Sequence, residues 1–268
     1  MVDRGLSIGL RTNDSKLLRD FFSCLAPVSD LSLAETGDHH YSIEARARAH
    51  GRRYALAAGN RKIGVVDTRA EAIMCVLSDL HFKIARSSRA NIFVHAEVIG
   101  WEGAAVVMPG RSFPGKADLV IELLRHGATY FSDEYAIFDS DGMVHPFGRN
   151  PHVRSPRGTS RPTQAAGVFA SPTANVRLPV GLLLFASYSP DARWHSRRLT
   201  PGHALRGLVQ HAVCVRRTPA EVLRSLSRVS LSAPAFIAER GEARSAARRI
   251  LQLVEAERGR RQLLNSIQ

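Results

Sequence analysis

The sequence is poor in cysteine and contains no long apolar run. Its 268 residues include three cysteines, Cys24, Cys75 and Cys214, which lie far apart and form no CxxC pair. A disulfide framework or a cysteine-based zinc site is therefore not expected, whereas small buried thiols are. No run reaches the roughly 18–20 apolar residues of a membrane helix, and no signal-peptide core precedes Arg11. These absences predict a cytoplasmic protein without a membrane partner.

Lysine is also scarce, with four lysines in a chain that has 37 basic residues. The formal net charge of +13 comes from the second half, since residues 1–140 carry 17 basic and 17 acidic residues and residues 141–268 carry 20 and 7. This excess of arginine indicates either a solvated, arginine-biased surface or a basic face for an acidic peptide or nucleotide phosphates. No nucleic-acid partner is expected, because no binding motif accompanies the charge.

The first third of the chain predicts a small α/β module without catalytic signals. Thr68, followed three residues later by Glu71, predicts a capping box at the start of a helix. We therefore divide the chain into an N-terminal module, 1–90, and a second domain, 91–268. The elements predicted for the module are strands at 5–12, 41–46, 53–58 and 62–67 and helices at 15–25 and 68–86.

The second domain begins with a strand, a glycine-rich loop and a helix in succession. The wholly apolar segment Ala104–Met108 predicts a buried central strand. Residues 146–176 are rich in proline, glycine, serine and arginine and are expected to form long loops near the site. The other predicted elements are strands at 92–101, 128–131, 135–138 and 182–188 and helices at 116–126, 201–216, 218–227 and 240–257.

The glycine-rich loop fits GxxxxGK, the phosphate-binding motif, except at the position after the lysine. Glycines let backbone N–H groups approach phosphate oxygens, the next helix adds its positive end, and Lys116 adds a full charge. The alternative is an ordinary strand–turn–helix, but the apolar strand before the loop and the amphipathic helix after it favour the motif. We predict nucleotide contacts from Gly110, Arg111, Ser112, Phe113, Pro114, Gly115, Lys116 and Ala117.

Ala117 is the departure from the motif, because it replaces the Ser or Thr whose hydroxyl normally binds Mg²⁺. The metal would then be held by Asp133 or Glu134 with water; otherwise the site binds nucleotide without fast chemistry. This acidic pair ends the strand after the loop's helix, the edge of an α/β sheet where ligands collect. A carboxylate there can hold Mg²⁺ or accept the proton of an attacking hydroxyl, although such a pair can also be an ordinary turn.

Residues 95–139, HAEVIGWEGAAVVMPGRSFPGKADLVIELLRHGATYFSDEYAIFD, resemble the core of the HPr kinase/phosphorylase family. That family has a histidine, a strand pair, a GxSGxGKS loop, a helix and a strand ending in Asp-Asp. His95 matches the histidine, and Asp133-Glu134 matches the acidic pair. The loop keeps four of the family's residues, Gly110, Ser112, Gly115 and Lys116. The chain looks most similar to the shorter HPr-kinase-related proteins of modified-peptide gene clusters, which share YFSDEYAIFD-type and LPVGLLLF-type stretches.

The resemblance implies an α/β fold with a PEP-carboxykinase-like P-loop nucleotide-binding core, the cofactors ATP and Mg²⁺, and transfer of the γ-phosphate to a serine hydroxyl. It implies that Asp133 is the base, that His95 and Lys116 stabilise the transferring phosphate, and that Asp133 and Glu134 bind the metal. It also implies that homo-oligomers can form. Arg154, Arg157 and Arg177 are further candidates for phosphate or acceptor contacts, a prediction made from the residues alone.

The acceptor is expected to be a peptide or protein other than HPr. The family's downstream glycine-rich signature, which serves its phosphorylase reaction, is not recognisable, and the N-terminal third is unlike that of the bifunctional enzymes. By analogy with lasso-peptide kinases, we expect a precursor-peptide serine and an acidic leader that suits the basic second half. Two alternatives use the same site: a small-molecule hydroxyl kinase, and a nucleotide-binding pseudokinase or scaffold in a peptide-maturation complex.

Overall fold

The structure is a computed structural model that describes residues 8–24, 39–48, 51–110, 115–147, 176–213, 215–216 and 218–266. Within these residues the chain forms two compact units, one ending at Arg89 and the other beginning at Ala90. Each unit contains one sheet, and the described part holds six helices. The mixed α/β class is thus confirmed, whereas the PEP-carboxykinase-like core and the two-domain assignment stay predictions.

The first unit is a four-stranded sheet with two helices. The strands follow chain order, β1 pairing in parallel with β2 and the other pairs being antiparallel. The Thr68 hydroxyl accepts a hydrogen bond from the Glu71 N–H, and the Glu71 carboxylate accepts one from the Thr68 N–H, which confirms the predicted capping box. The elements are β1 (Ile8–Thr12), α1 (Ser15–Cys24), β2 (His39–Arg48), β3 (Gly51–Ala58), β4 (Arg61–Val66) and α2 (Arg69–Ser87).

The second unit is an eight-stranded sheet with four described helices. Its strand order is β11-β12-β10-β6-β5-β8-β9, and β7 also pairs with β5. The elements are β5 (Ile92–Trp101), β6 (Ala104–Pro109), α3 (Lys116–Arg125), β7 (Thr129–Ser132), β8 (Tyr135–Phe138), β9 (Val144–His145), β10 (Val180–Tyr188), β11 (His195–Arg198), α4 (Pro201–His211), α5 (Pro219–Ser232), β12 (Ala235–Arg240) and α6 (Ala243–Asn265).

Three parallel strands at the centre of this sheet position the candidate site. Because β6, β10 and β12 run in parallel, their carboxyl ends meet at one edge, where Gly110, Tyr188 and Arg240 lie. Strand β5 runs antiparallel to β6, and its residue Glu97 pairs with Met108 near the same edge. Polar side chains from four strands can therefore converge where the phosphate-binding loop is predicted.

The sheet of the second unit has apolar cores on both faces. Val94, Ala96 and Val98 of β5 pack in the core that includes residues of α4 and α5, whereas Ile99 packs in the core formed with α3 and α6. Since successive side chains of a strand alternate between faces, Glu97 lies on the same face as Ile99, toward α3. Because of this alternation, Glu97, the only charged side chain of β5, lies on the side of the sheet covered by α3, the helix that follows the loop.

The segment around Arg240 corrects the sequence-based expectation. A helix was expected over 240–257, but Ala235–Arg240 is strand β12 and the helix begins at Ala243. Its burial alternates at the end, where Ala238 and Arg240 are buried and Ile237 and Glu239 are exposed. An arginine at an inward position hides the period-two pattern of a strand. Similarly, a helix was expected over 201–216, but α4 ends at His211, and strand β11 was not expected.

Among the described helices, none is both long enough and apolar enough to span a membrane.

Candidate phosphate-binding site

The two ends of the predicted loop lie between β6 and α3, as the motif requires. Gly110 follows β6, and its N–H donates to the His95 carbonyl at 3.0 Å. Gly115 caps α3 with a φ of 83°, in the left-handed region that favours glycine. The backbone turn into the helix therefore depends on the glycine of the motif. Residues 111–114 (Arg, Ser, Phe, Pro) and the Ala117 side chain lie outside the described residues, so their phosphate contacts stay predictions.

Lys116, the first residue of α3, places a buried ammonium group across the ends of the loop. Its Nζ donates to the Gly110 carbonyl at 3.0 Å and lies 3.6 Å from Oε1 of Glu97. The residue is 7% exposed, so the charge is largely removed from water. A buried cation at the positive end of a helix strongly favours a nearby anion.

Glu97 provides one such anion from strand β5 and is itself only 4% exposed. Burial raises the pKa of Glu97 to about 7, the Lys116 charge opposes this, and the charge of Asp133 adds to it. Burial likewise lowers the pKa of Lys116, against the effects of Glu97 and Asp133. An ion pair alone would shift both pKa values the other way, so burial outweighs the pairing. These side chains are held at a cost in free energy, which is common in functional sites.

The acidic pair lies in the turn between β7 and β8. The Ser132 hydroxyl accepts hydrogen bonds from the N–H groups of Glu134 and Tyr135, at 3.2 and 3.1 Å, which fixes the turn. The Glu134 carbonyl accepts from the Ala96 N–H, which ties the turn to β5. Asp133 is half-buried, and its charge acts on both Glu97 and Lys116. Lys116 and Asp133, the predicted lysine and the predicted base, are thus close enough for their charges to interact.

His95 is half-buried on β5, on the same face as Glu97 by strand alternation. Its ring lies 4.7 Å from the ring of Tyr135, the residue after the acidic pair. His95 and the Asp133–Glu134 turn are therefore neighbours across the β5–β8 pairing. The ring contact by itself is compatible with a core histidine as well as with a role beside a phosphate group.

Arg240 is a second buried cation at the site, and the sequence interpretation missed it. Its guanidinium donates to the carbonyls of Gly115, at 2.8 Å, and Gly241, at 3.1 Å, and stacks on the ring of Tyr188. Its Nε is buried without a hydrogen-bond partner in the described part of the chain, and the residue is 1% exposed. Burial lowers the pKa of Arg240, and the negative charge of Glu97 opposes this shift. Lys116 and Arg240 therefore hold the first and last glycines of the loop.

Glu97 was also missed, although the sequence contains a signal for it. A charged residue inside the apolar strand IFVHAEVIGW, two positions after His95, must lie on the same face as that histidine. An inward carboxylate in a central strand needs a cation or a ligand.

Arg177, a predicted phosphate contact, binds Asp139 and Asp141 in the turn after β8, at 3.0 and 3.3 Å. Arg154 and Arg157 lie outside the described residues.

The donor groups of the site fit a metal that arrives with a nucleotide better than a resident metal. Within the described residues no three His, Cys, Asp or Glu side chains are close enough together to hold an ion. Mg²⁺ usually binds through one or two carboxylates together with phosphates and waters. The buried Glu97 Oε2, which has no hydrogen-bond partner among the described residues, and the nearby Asp133 provide that smaller set.

A separate surface cavity of about 390 Å³ lies in the first unit. Its central charge, the buried Asp14, accepts hydrogen bonds from the first N–H groups of α1 and pairs with two arginines. These contacts explain the cluster as a helix cap, and it shows no chemistry of its own. The cavity is lined by Asn13, Asp14, Ser15, Lys16, Arg52 and Arg69.

Comparisons with known proteins leave the function to be argued from this geometry. No protein family matches the sequence, and no curated protein does. Among solved structures, the Hpr(Ser) kinase/phosphatase from Coxiella burnetii aligns with 65% of this chain and 94% of its own, at 12% identity and a TM-score of 0.38. A likeness this distant carries no argument about activity.

Proposed function

We propose that this protein is an ATP-dependent phosphotransferase that moves the γ-phosphate of ATP to a serine hydroxyl of a peptide or protein. The observation that carries the proposal is the buried Lys116 ammonium at the start of α3, held between the Gly110 carbonyl and Glu97. The half-buried Asp133 carboxylate acts on the same charge. A phosphate-binding cation and a proton-accepting carboxylate are the two groups that phosphoryl transfer requires of a protein.

The charges around the loop support a polyphosphate ligand. Lys116 and Arg240 both donate to neutral backbone carbonyls, those of Gly110 and Gly115. Ionised phosphate oxygens are stronger acceptors for these cations than carbonyls are, so a bound polyphosphate would improve the hydrogen bonding of both side chains. The N-terminal end of α3 adds a positive field at the same place.

The reaction can be assigned to residues of this chain. Asp133 accepts the proton of the serine hydroxyl as its oxygen forms a bond to the γ-phosphorus; the bond from that phosphorus to the bridging oxygen breaks, and ADP leaves. Lys116 and His95 stabilise the negative charge on the transferring group. Asp133 and Glu134 would hold the Mg²⁺ of the nucleotide, which neutralises charge on the phosphates.

The charge of the second half supports an acidic peptide as acceptor. Residues 141–268 carry 20 basic and 7 acidic residues. A basic surface raises the rate of encounter with an acidic partner, such as a precursor peptide of lasso type with an acidic leader. Helix α6 has five exposed arginines, of which Arg258 pairs with Glu102 and Arg260 with Glu257, so those available for this purpose are Arg244, Arg248 and Arg249.

Ala117 supports a second candidate, a nucleotide-binding scaffold without turnover. Without the hydroxyl that normally binds Mg²⁺, the loop can hold nucleotide while the metal is poorly placed for catalysis. On this hypothesis ATP binds equally well with and without Mg²⁺, no acceptor is phosphorylated, and Ala117→Ser produces activity that the wild-type chain lacks.

Transfer of radiolabel from [γ-³²P]ATP tests the proposal. The full chain is incubated with Mg²⁺ and with serine peptides that carry acidic, neutral or basic leaders, and label on the acidic series is expected. Lys116→Met and Asp133→Asn should each abolish labelling, whereas Lys62→Met, which removes an exposed lysine of β4, should not. Undiminished labelling in both site variants would refute the assignment, and label on free metabolites alone would indicate a small-molecule kinase.

A further inference from the structure

One oxygen of the Glu97 carboxylate lacks a hydrogen-bond partner. Oε1 lies 3.6 Å from the Lys116 ammonium, but Oε2 is buried and has no partner among the described residues. The side chain is 5% exposed, so bulk water does not compensate. Buried carboxylate oxygens are nearly always hydrogen-bonded, and an exception indicates a missing ligand, water or proton.

Nucleotide binding would leave the Glu97 carboxylate with still fewer favourable contacts. When Lys116 moves its hydrogen bonds to a phosphate group, Glu97 loses its nearest cation, and Arg240, whose charge also acts on Glu97, directs its hydrogen bonds to the carbonyls of Gly115 and Gly241. The carboxylate then faces a phosphate of the same sign in a site where charges are poorly screened. A positive group must therefore enter between Glu97 and the phosphates, or the ligand will bind weakly.

A divalent cation fits this position better than a proton does. Asp133 acts electrostatically on Glu97, so two carboxylates and the phosphates would contribute negative charge at the same place. One proton neutralises one carboxylate, whereas Mg²⁺ compensates both and also bonds to phosphate oxygens. The loop itself offers no hydroxyl at position 117, where this motif normally supplies a protein ligand.

We propose that Glu97 is a ligand of the divalent cation that enters with the nucleotide, and that it substitutes for the hydroxyl missing at Ala117. The inference rests on the proposed function, because it requires a nucleotide bound at Lys116. It adds to the acidic pair a residue from a different strand, β5. The free chain would bind such a cation weakly, and the nucleotide would complete the site.

Manganese binding tests this role without measuring activity. Mn²⁺ is titrated into the full chain with and without AMP-PNP, and free Mn²⁺ is followed by electron paramagnetic resonance. AMP-PNP should create one Mn²⁺ site in the wild-type chain. Glu97→Gln should weaken Mn²⁺ binding in that complex at least about tenfold, with AMP-PNP affinity in EDTA unchanged or higher because a repulsive charge is gone. Glu122→Gln, which alters a carboxylate paired with Arg125 on α3, should behave as wild type.

The outcomes separate this inference from the proposed function. If Glu97→Gln binds Mn²⁺ within twofold of wild type while AMP-PNP still binds, Glu97 is not a ligand and only the inference is overturned. If AMP-PNP does not bind the wild-type chain with or without Mn²⁺, the proposed function fails first. Should Glu97→Gln not fold, Glu97→Asp keeps the charge but withdraws the carboxylate by one methylene, and the same loss of Mn²⁺ affinity is expected.

Discussion

At the residue scale, the site consists of ionisable side chains buried further than their chemistry favours. Lys116, Glu97 and Arg240 are each at most 7% exposed, although ions in a protein interior cost several kcal/mol unless they are paired. Lys116 donates to the Gly110 carbonyl and lies 3.6 Å from Glu97, and Arg240 donates to the carbonyls of Gly115 and Gly241. Oε2 of Glu97 and Nε of Arg240 are buried without a hydrogen-bond partner among the described residues, and such atoms at one sheet edge are typical of sites that bind a charged ligand.

The pKa of Glu97 gives the first prediction. Burial raises it from an ordinary 4.5 to about 7, so between these pH values the folded chain holds a proton that the unfolded chain has released. The stability that this proton contributes is fully present below pH 4.5 and is lost as the pH rises through about 7. A carbon-13 NMR titration of labelled glutamate should show one midpoint near 7, and Lys116→Met should move it higher by removing the opposing charge. A midpoint near 4.5, unmoved by Lys116→Met, would contradict the burial of this carboxylate.

Gly115 gives the second prediction. Its φ of 83° is unfavourable for a residue with a side chain, and an added Cβ would lie 3.3 Å from the Arg240 guanidinium. Gly115→Ala should therefore destabilise the second unit by about 1–2 kcal/mol, measured by urea unfolding. Trp101 and Trp194, the chain's two tryptophans, both lie in that unit and report on it by fluorescence. Gly202→Ala, in α4 with open space around the new methyl group, is the matched control and should be neutral or stabilising.

At the element scale, the site depends on strands whose carboxyl ends meet. β6 supplies the loop, β12 supplies Arg240, and the antiparallel β5 supplies Glu97. The contact between Arg240 and the loop is far from local in sequence, since Arg240 binds the carbonyl of a residue 125 positions earlier. Sheet topology therefore determines which charges surround the loop.

The elements also show what the sequence could and could not predict. The β5–β6–α3 succession and the capping box of α2 were predicted, because apolar periodicity and cap residues are local signals. Strand β12 was not predicted, and its last residue, Arg240, was assigned to the following helix, because a buried arginine breaks the apolar alternation of the strand. Lys116 and Asp133 were found through a motif, whereas Glu97 and Arg240 belong to no motif and become visible only when the strands pair. Charge alone does not tell an inward arginine from the other basic residues of the chain.

Arg240 gives the third prediction, which concerns how β12 contributes to ligand binding. Arg240→Met removes a buried charge at the last glycine of the loop and should weaken ATP binding at least about tenfold, as expected for a hydrogen bond to a charged group. Adenosine, which has no phosphate, should bind equally to both proteins. Arg248→Met, at an exposed position of α6, is the control for net charge. Fluorescence titration measures each affinity, and an equal loss for ATP and adenosine would exclude a phosphate contact.

At the scale of the whole molecule, the buried charges of the candidate site are concentrated in the second unit. The excess of basic residues lies after residue 140, and the described side chains of the candidate site all follow Ala90. The first unit has its own apolar core, and its buried acidic group, Asp14, caps a helix. We therefore propose that nucleotide binding and phosphoryl transfer belong to the second unit and that its basic surface recruits the acceptor.

Calorimetric titration of the full chain with ATP, ADP and AMP tests the central claim, that Lys116 and the loop bind a polyphosphate. We expect ATP and ADP to bind and AMP to bind at least about tenfold more weakly, since it lacks the phosphates that a loop lysine contacts. Lys116→Met should lose this preference, while Lys62→Met should keep it. No binding of any nucleotide to the wild-type chain, or the same isotherms for Lys116→Met, would contradict the account.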